Sequence, residues 1–118
     1  MLIRDALQVD KLQVQSPGAE NVTIQWLVDD KHAAPSFSMR RFVIASAGCT
    51  PEHTHGWEHE VYVLSGRGLL VTAEGEQALH PDMAVLVLPD ELHQFRCLGP
   101  EPLEFLCLVP NGPATAGH

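Results

Sequence analysis

Between Val22 and Val109 the chain is cut by turn residues into short β-rich runs, a pattern that leaves room for few helices. Val22-Thr23-Ile24-Gln25-Trp26-Leu27-Val28 alternates apolar and polar for most of its length, as a half-buried strand does, and Asp29-Asp30-Lys31 with His32 to Pro35 breaks it. Phe37 to Ile44 reads as the next strand. It carries Phe37, Met39 and Val43 on one face and Phe42 and Ile44 on the other, so both faces should be covered. Val61 to Leu64 is closed by Ser65-Gly66-Arg67-Gly68, Leu69 to Thr72 resumes, and Glu74-Gly75-Glu76 reads as a hairpin turn before Gln77 to His80. Ala84 to Leu88 is a continuous apolar strand stopped by Pro89-Asp90-Glu91. His93 to Cys97 and Leu103 to Val109 form the last pair. Only Asp5 to Gln8 suggests a helical turn. Many short strands with regular turn signals predict an all-β sandwich or barrel.

The 118 residues fit one domain over 1–118, with the barrel core at about 37–109 and residues 110–118 as a flexible tail that has nothing to bury. Seven basic against fifteen acidic residues give a formal charge of -8, which disfavours nucleic-acid and anionic-membrane partners. No stretch approaches the ~20 apolar residues of a membrane helix, and the N-terminal residues do not read as a secretion signal. Cys49, Cys97 and Cys107 are odd in number and widely spaced, which argues against a disulfide framework and for a reduced, cytoplasmic setting.

The segment Gly48-Cys49-Thr50-Pro51-Glu52-His53-Thr54-His55-Gly56-Trp57-Glu58-His59-Glu60 carries the chemistry. On extended backbone, His53 and His55 project to the same side, as two ligands of one ion require. His59 shares their parity beyond Gly56-Trp57. Glu60 is the alternative ligand, or a group that orients an imidazole from behind. Histidines elsewhere (His32, His80 and His118) read as surface or hydrogen-bonded residues. Neutral imidazole suits zinc, copper, iron and nickel, and manganese accepts it too.

Taken together, these residues resemble the cupin superfamily. Its first motif is matched by Gly48, His53-Thr54-His55, His59 and then Gly66 after six intervening residues. The second is matched by Pro89-Asp90-Glu91-Leu92-His93-Gln94-Phe95. Three departures stand out: Asp82-Met83 lies where a glycine is expected, the turn is one residue short, and Cys97 replaces an asparagine. The resemblance implies a cupin-type jelly-roll β-barrel and a metal held by His53, His55, His59 and His93, with His59 where most metal-binding cupins carry a glutamate. The implied ion is one divalent transition metal per chain, manganese or iron first, with zinc, nickel or copper also compatible.

Strand parity gathers Phe95, Phe105 and Cys107 around such a centre, with Met39 or Arg41 as further wall residues and Trp57 at the rim. Plain barrel packing explains each of them as well. The resemblance implies a metal-dependent, dioxygenase-like enzyme acting on a small molecule such as a diketone, phenolic or hydroxy acid. A non-redox isomerase or lyase on a sugar acid is the alternative, and a non-catalytic metal- or ligand-binding module comes third. The stretch from Leu12 to Val28 could pair two copies as a homodimer.

Overall fold

The computed structural model describes residues 1–116 and 118. Among these residues nine strands form one sheet: β1 (Leu12–Gln13), β2 (Glu20–Val28), β3 (Phe37–Cys49), β4 (His59–Ser65), β5 (Arg67–Thr72), β6 (Gly75–Leu79), β7 (Ala84–Val87), β8 (His93–Leu98) and β9 (Leu103–Pro110). Every pairing between them is antiparallel. The order runs β6-β5-β8-β3-β9-β4-β7, with β2 also on β3 and β1 on β2. The long β3 serves two partners in turn: Phe37 to Ile44 pair with β9, and Cys49 pairs with Arg96 of β8. This exchange of partners curls the sheet into the expected all-β, jelly-roll form.

Alternation along the strands builds the interior. On β9, Leu103, Phe105, Cys107 and Val109 are buried. Across the ladder Val61 and Val63 of β4 face the same way, and Ile44, Phe95 and Val22 complete the centre. Each large apolar side chain buried in this way contributes roughly 1.5–3 kcal/mol. Two glycines of the histidine motif are required by close backbone approach. A Cβ on Gly66 (φ +85°) would lie 2.1 Å from the Pro102 carbonyl oxygen, and one on Gly48 would lie 2.5 Å from that of Glu20.

Several strand ends move outward from the sequence reading. β3 continues through Ser46-Ala47-Gly48 to Cys49, with Ala47 absorbing a left-handed φ of 65° where the β2–β3 register slips. The parity of β3 is also clearer than its apolar residues suggested: Ser38, Arg40 and Ile44 are buried, with half-buried Phe42 on their side. The apolar β7 lies at the end of the sheet and leaves Leu86 exposed, because only β4 pairs with it. The helical turn near the N-terminus is a 3-10 turn, Ala6–Gln8, capped by the Asp5 carboxylate.

The expectation that residues beyond Pro110 have nothing to bury is corrected. Thr115 is buried and donates to Asp30, Asn111 donates to the Ala34 carbonyl, and the His118 ring stacks on Trp26 at 3.6 Å. Polar side chains with specific partners hold this segment, so no apolar run marks it in the sequence.

Candidate metal centre

The histidines are brought together by backbone pairing between the loop after β3 and the start of β8. His53 N–H donates to the His93 carbonyl (3.2 Å) and His93 N–H donates to the His53 carbonyl (3.1 Å), a single antiparallel bridge that sets the two side by side. Three further bonds stitch the neighbouring residues. Thr50 N–H donates to the Phe95 carbonyl (2.9 Å), Phe95 N–H donates to Thr50 Oγ1 (2.9 Å), and Asp90 N–H donates to the His55 carbonyl (2.8 Å). Asp90 holds a φ of 67°, a left-handed conformation that aspartate tolerates, so the shortened Pro89 turn still delivers His93.

One ring nitrogen from each of His53, His55 and His93 lies within 4.8 Å of the others, a group able to hold a metal ion. The protonation of two rings follows from their neighbours. His55 Nδ1–H donates to the Trp57 carbonyl (3.1 Å), and His93 Nδ1–H donates to the Glu91 carbonyl (2.9 Å). A carbonyl can only accept, so the neutral rings carry their proton on Nδ1 and present Nε2 lone pairs. Trp57 stacks on His55 with centroids 4.4 Å apart and planes 5° from parallel, which fixes the ring further.

His59, on β4, approaches from the opposite wall. Its Nε2 lies 2.6 Å from His55 Nε2, a distance at which two lone pairs need a proton or a cation between them. Its ring is also edge-on to His93, at 5.2 Å between centroids. Behind it, Nδ1 is 3.1 Å from Cys107 Sγ and 3.2 Å from Arg40 Nη2, and that Nη2 also donates to Cys107 Sγ at 3.0 Å. Burial, then the Arg40 cation and the other imidazoles, press the His59 pKa down to about 2. Partial desolvation, then His93 and His55, lower that of His53 to about 4, and burial and His93 lower His55 in the same direction. These rings are therefore neutral at pH 7, the form that ligates metals. Burial in turn pushes the Cys107 thiol up, against the pull of Arg40.

Below the histidines lies a cavity of about 250 Å³. Phe95, Phe105 and Cys107 line it together with His53, His59 and His93, and β2 and β3 contribute Trp26, Arg40 and Phe42. The remaining sequence candidates lie elsewhere. Trp57 covers His55 instead of lining the cavity. Glu60 is turned by strand parity to the exposed face of β4, opposite the histidines, so neither a ligand nor an orienting role fits its position. Met39 and Arg41 also face away from the cavity, Arg41 pairing with Glu104 at 3.5 Å. The residue that sequence reasoning missed is Arg40. Its parity with Phe42 and Ile44 was the available signal, but a charged side chain on an inward face reads as an exception until its partners are seen.

The family described as the cupin domain matches residues 40–109, and the chain belongs to it. Among solved structures, the chain is similar to the polyketide cyclase RemF from Streptomyces resistomycificus, at 31% identity over 95% of this chain and 80% of that one, with a TM-score of 0.90. A cupin-2 domain protein from Rhodospirillum rubrum is 28% identical over 95% and 75% of the two chains, with a TM-score of 0.80. One from Halorhodospira halophila is 30% identical over 85% and 69%, with a TM-score of 0.73. No curated protein sequence matches this one. Among the described residues, no helix is long and apolar enough to cross a membrane.

Proposed function

We propose that His53, His55, His59 and His93 together hold one divalent transition-metal ion, and that the chain is an enzyme acting on a small carbonyl-rich molecule in the cavity beneath them. The observation that carries this reading is the set of ring orientations. The Trp57 and Glu91 carbonyls commit His55 and His93 to offering Nε2, and His59 Nε2 lies 2.6 Å from His55 Nε2. All four ligands are neutral and leave the ion its full charge, which favours an anionic or chelating oxygen substrate such as a diketone, enolate or hydroxy acid. When bound, the ion supplies a Lewis acid for an oxygen of that substrate. The chain's aromatic walls, Phe42, Phe95 and Phe105, keep water from the reacting molecule and strengthen electrostatic contacts there.

Two features favour a non-redox reaction on a 1,3-dicarbonyl over the oxygenase reading. Similarity to a polyketide cyclase points toward carbonyl condensation, and the buried Cys107 thiol beside His59 is an oxidisable neighbour for oxygen chemistry.

The test begins with untagged protein. After reconstitution with manganese, iron, zinc or nickel, elemental analysis is expected to show close to one equivalent, and less than about a tenth for every metal would overturn the site. Loaded protein is then offered linear 1,3-diketones that carry a further ketone along the chain, so that the enolate carbon can bond to that carbonyl carbon with loss of its oxygen as water, under nitrogen and in air. Turnover under nitrogen with no change beyond loss of water supports the reading, whereas turnover that consumes dioxygen returns the protein to the oxygenases.

A further inference from the structure

Among the described residues, Arg40 is the one charged side chain that lines the cavity, and the residue is only 8% exposed. Trp26 and Phe42 cover its guanidinium at 5.4 and 5.0 Å from their ring centroids. Nη2 reaches His59 and Cys107, but both are neutral partners. Nε is fully buried and has no hydrogen-bond partner. Among the described residues no carboxylate lines the cavity or pairs with Arg40, although the chain carries a net charge of -8. A desolvated cation with an unmet donor is costly unless something supplies a negative oxygen. Burial among aromatic rings with only neutral partners also argues against Arg40 as a purely structural ion pair.

From this we infer that Arg40 is the substrate's anion anchor: the cavity takes a planar molecule bearing a carboxylate or enolate oxygen, which the guanidinium holds while its flat body lies among Trp26, Phe42 and Phe105. The inference deepens the proposed function and rests on it for the nature of the substrate, but it does not depend on the ion being present. It places a fixed positive charge on the β3 wall, next to the face of His59 that points away from the other histidines. An acid or enolate therefore binds in one orientation, charged end toward Arg40, and a neutral analogue does not.

Charge selectivity separates anchoring from a merely structural role. Benzoate, benzamide and the enolate-forming cyclohexane-1,3-dione are titrated into metal-loaded and metal-stripped protein, with tryptophan fluorescence as the readout. Wild type is expected to prefer benzoate to benzamide by about tenfold or more in both forms. In metal-stripped Arg40→Met, which keeps the aliphatic stem, the ratio should fall to about one while benzamide binding persists. Arg40→Lys, which keeps the charge, should restore part of the preference. The relative affinities of benzoate and the dione show whether carboxylate or enolate is the better fit. The anchor is overturned if wild type shows no preference in the stripped form, or if stripped Arg40→Met keeps it. It is equally overturned if both variants fold by circular dichroism but lose benzamide as completely as benzoate. Charge preference in a protein that never retains metal would sink the metal reading and leave the anchor standing.

Discussion

Two histidine groups occupy this small molecule, and they solve opposite electrostatic problems. At the cavity, imidazoles face one another and a guanidinium, and among the described residues no carboxylate joins them. At the other, His32 Nδ1 and His118 Nε2 lie 2.6 and 2.9 Å from the two oxygens of Asp29, a carboxylate only 2% exposed. Burial pushes the Asp29 pKa up, but the hydrogen bonds from His32 and His118 outweigh it and hold the carboxyl below its ordinary value. The second group satisfies itself with charges the chain already owns. In the first, burial holds His53, His55 and His59 neutral, and the Nε2 lone pairs of His55 and His93 meet no internal countercharge. Asp29, Asp30 and His118 also bring ligand atoms within 4.8 Å of one another, but there the Asp29 carboxylate is already hydrogen-bonded by two imidazoles, whereas the cavity histidines have no carboxylate partner among the described residues.

The largest effect that could break this contrast is metal loss. His55→Ala and His93→Ala are each expected to remove nearly all bound metal, while His32→Ala and His118→Ala leave the stoichiometry unchanged. Elemental analysis of the four proteins decides it, and equal losses in both groups would erase the distinction. A finer cut falls within β4. His59→Ala should weaken metal affinity by about 100-fold or more, and Glu60→Ala by less than about twofold, measured by competition with a chelator. The reverse order would restore Glu60 as the ligand despite its outward parity.

Stability should report the other group instead. Asp29→Asn leaves the two imidazoles without their carboxylate and is expected to cost about 1–3 kcal/mol in urea unfolding, with metal content unchanged. The smallest expected effect is a pH dependence in metal-free protein. His53 and His59 bind protons near pH 6.5 when unfolded but resist them in the folded chain down to about 4 and about 2. Their stabilising contribution is thus intact above pH 6.5 and drains away as pH falls below it. Thermal unfolding at pH 7.5 and 5.0 should show a lower midpoint in acid, and His59→Gln should shrink the difference. An unchanged slope in that variant would mean His59 is not the buried, neutral ring described.

Much of the strand order in sequence was legible because turn chemistry is local: Gly66, Pro81-Asp82, Pro89-Asp90 and Gly99-Pro100 interrupt the chain within one or two residues of where its strands end. The convergence of His53, His55 and His93 was legible for a related reason. Extended backbone repeats every two residues, so spacing alone places His53 and His55 together, and the motif resemblance supplied His93. What spacing could not reveal was which groups back those rings. The Trp57 and Glu91 carbonyls that aim the ring nitrogens, and the stacking of Trp57 on His55 in place of lining the cavity, depend on loop geometry.

Arg40, too, lay beyond reach from sequence. Its place in the cavity depends on aromatic cover from Trp26, fourteen residues earlier, and on neutral partners at His59 and Cys107, none of which a local pattern connects. By itself, then, the sequence determined the strand periodicity, the turns and the identity of the candidate ligands, because these follow from backbone geometry between near neighbours. Only the tertiary structure decided how the curled sheet orients those ligands and which charge stands behind them, because those contacts join residues distant in the chain.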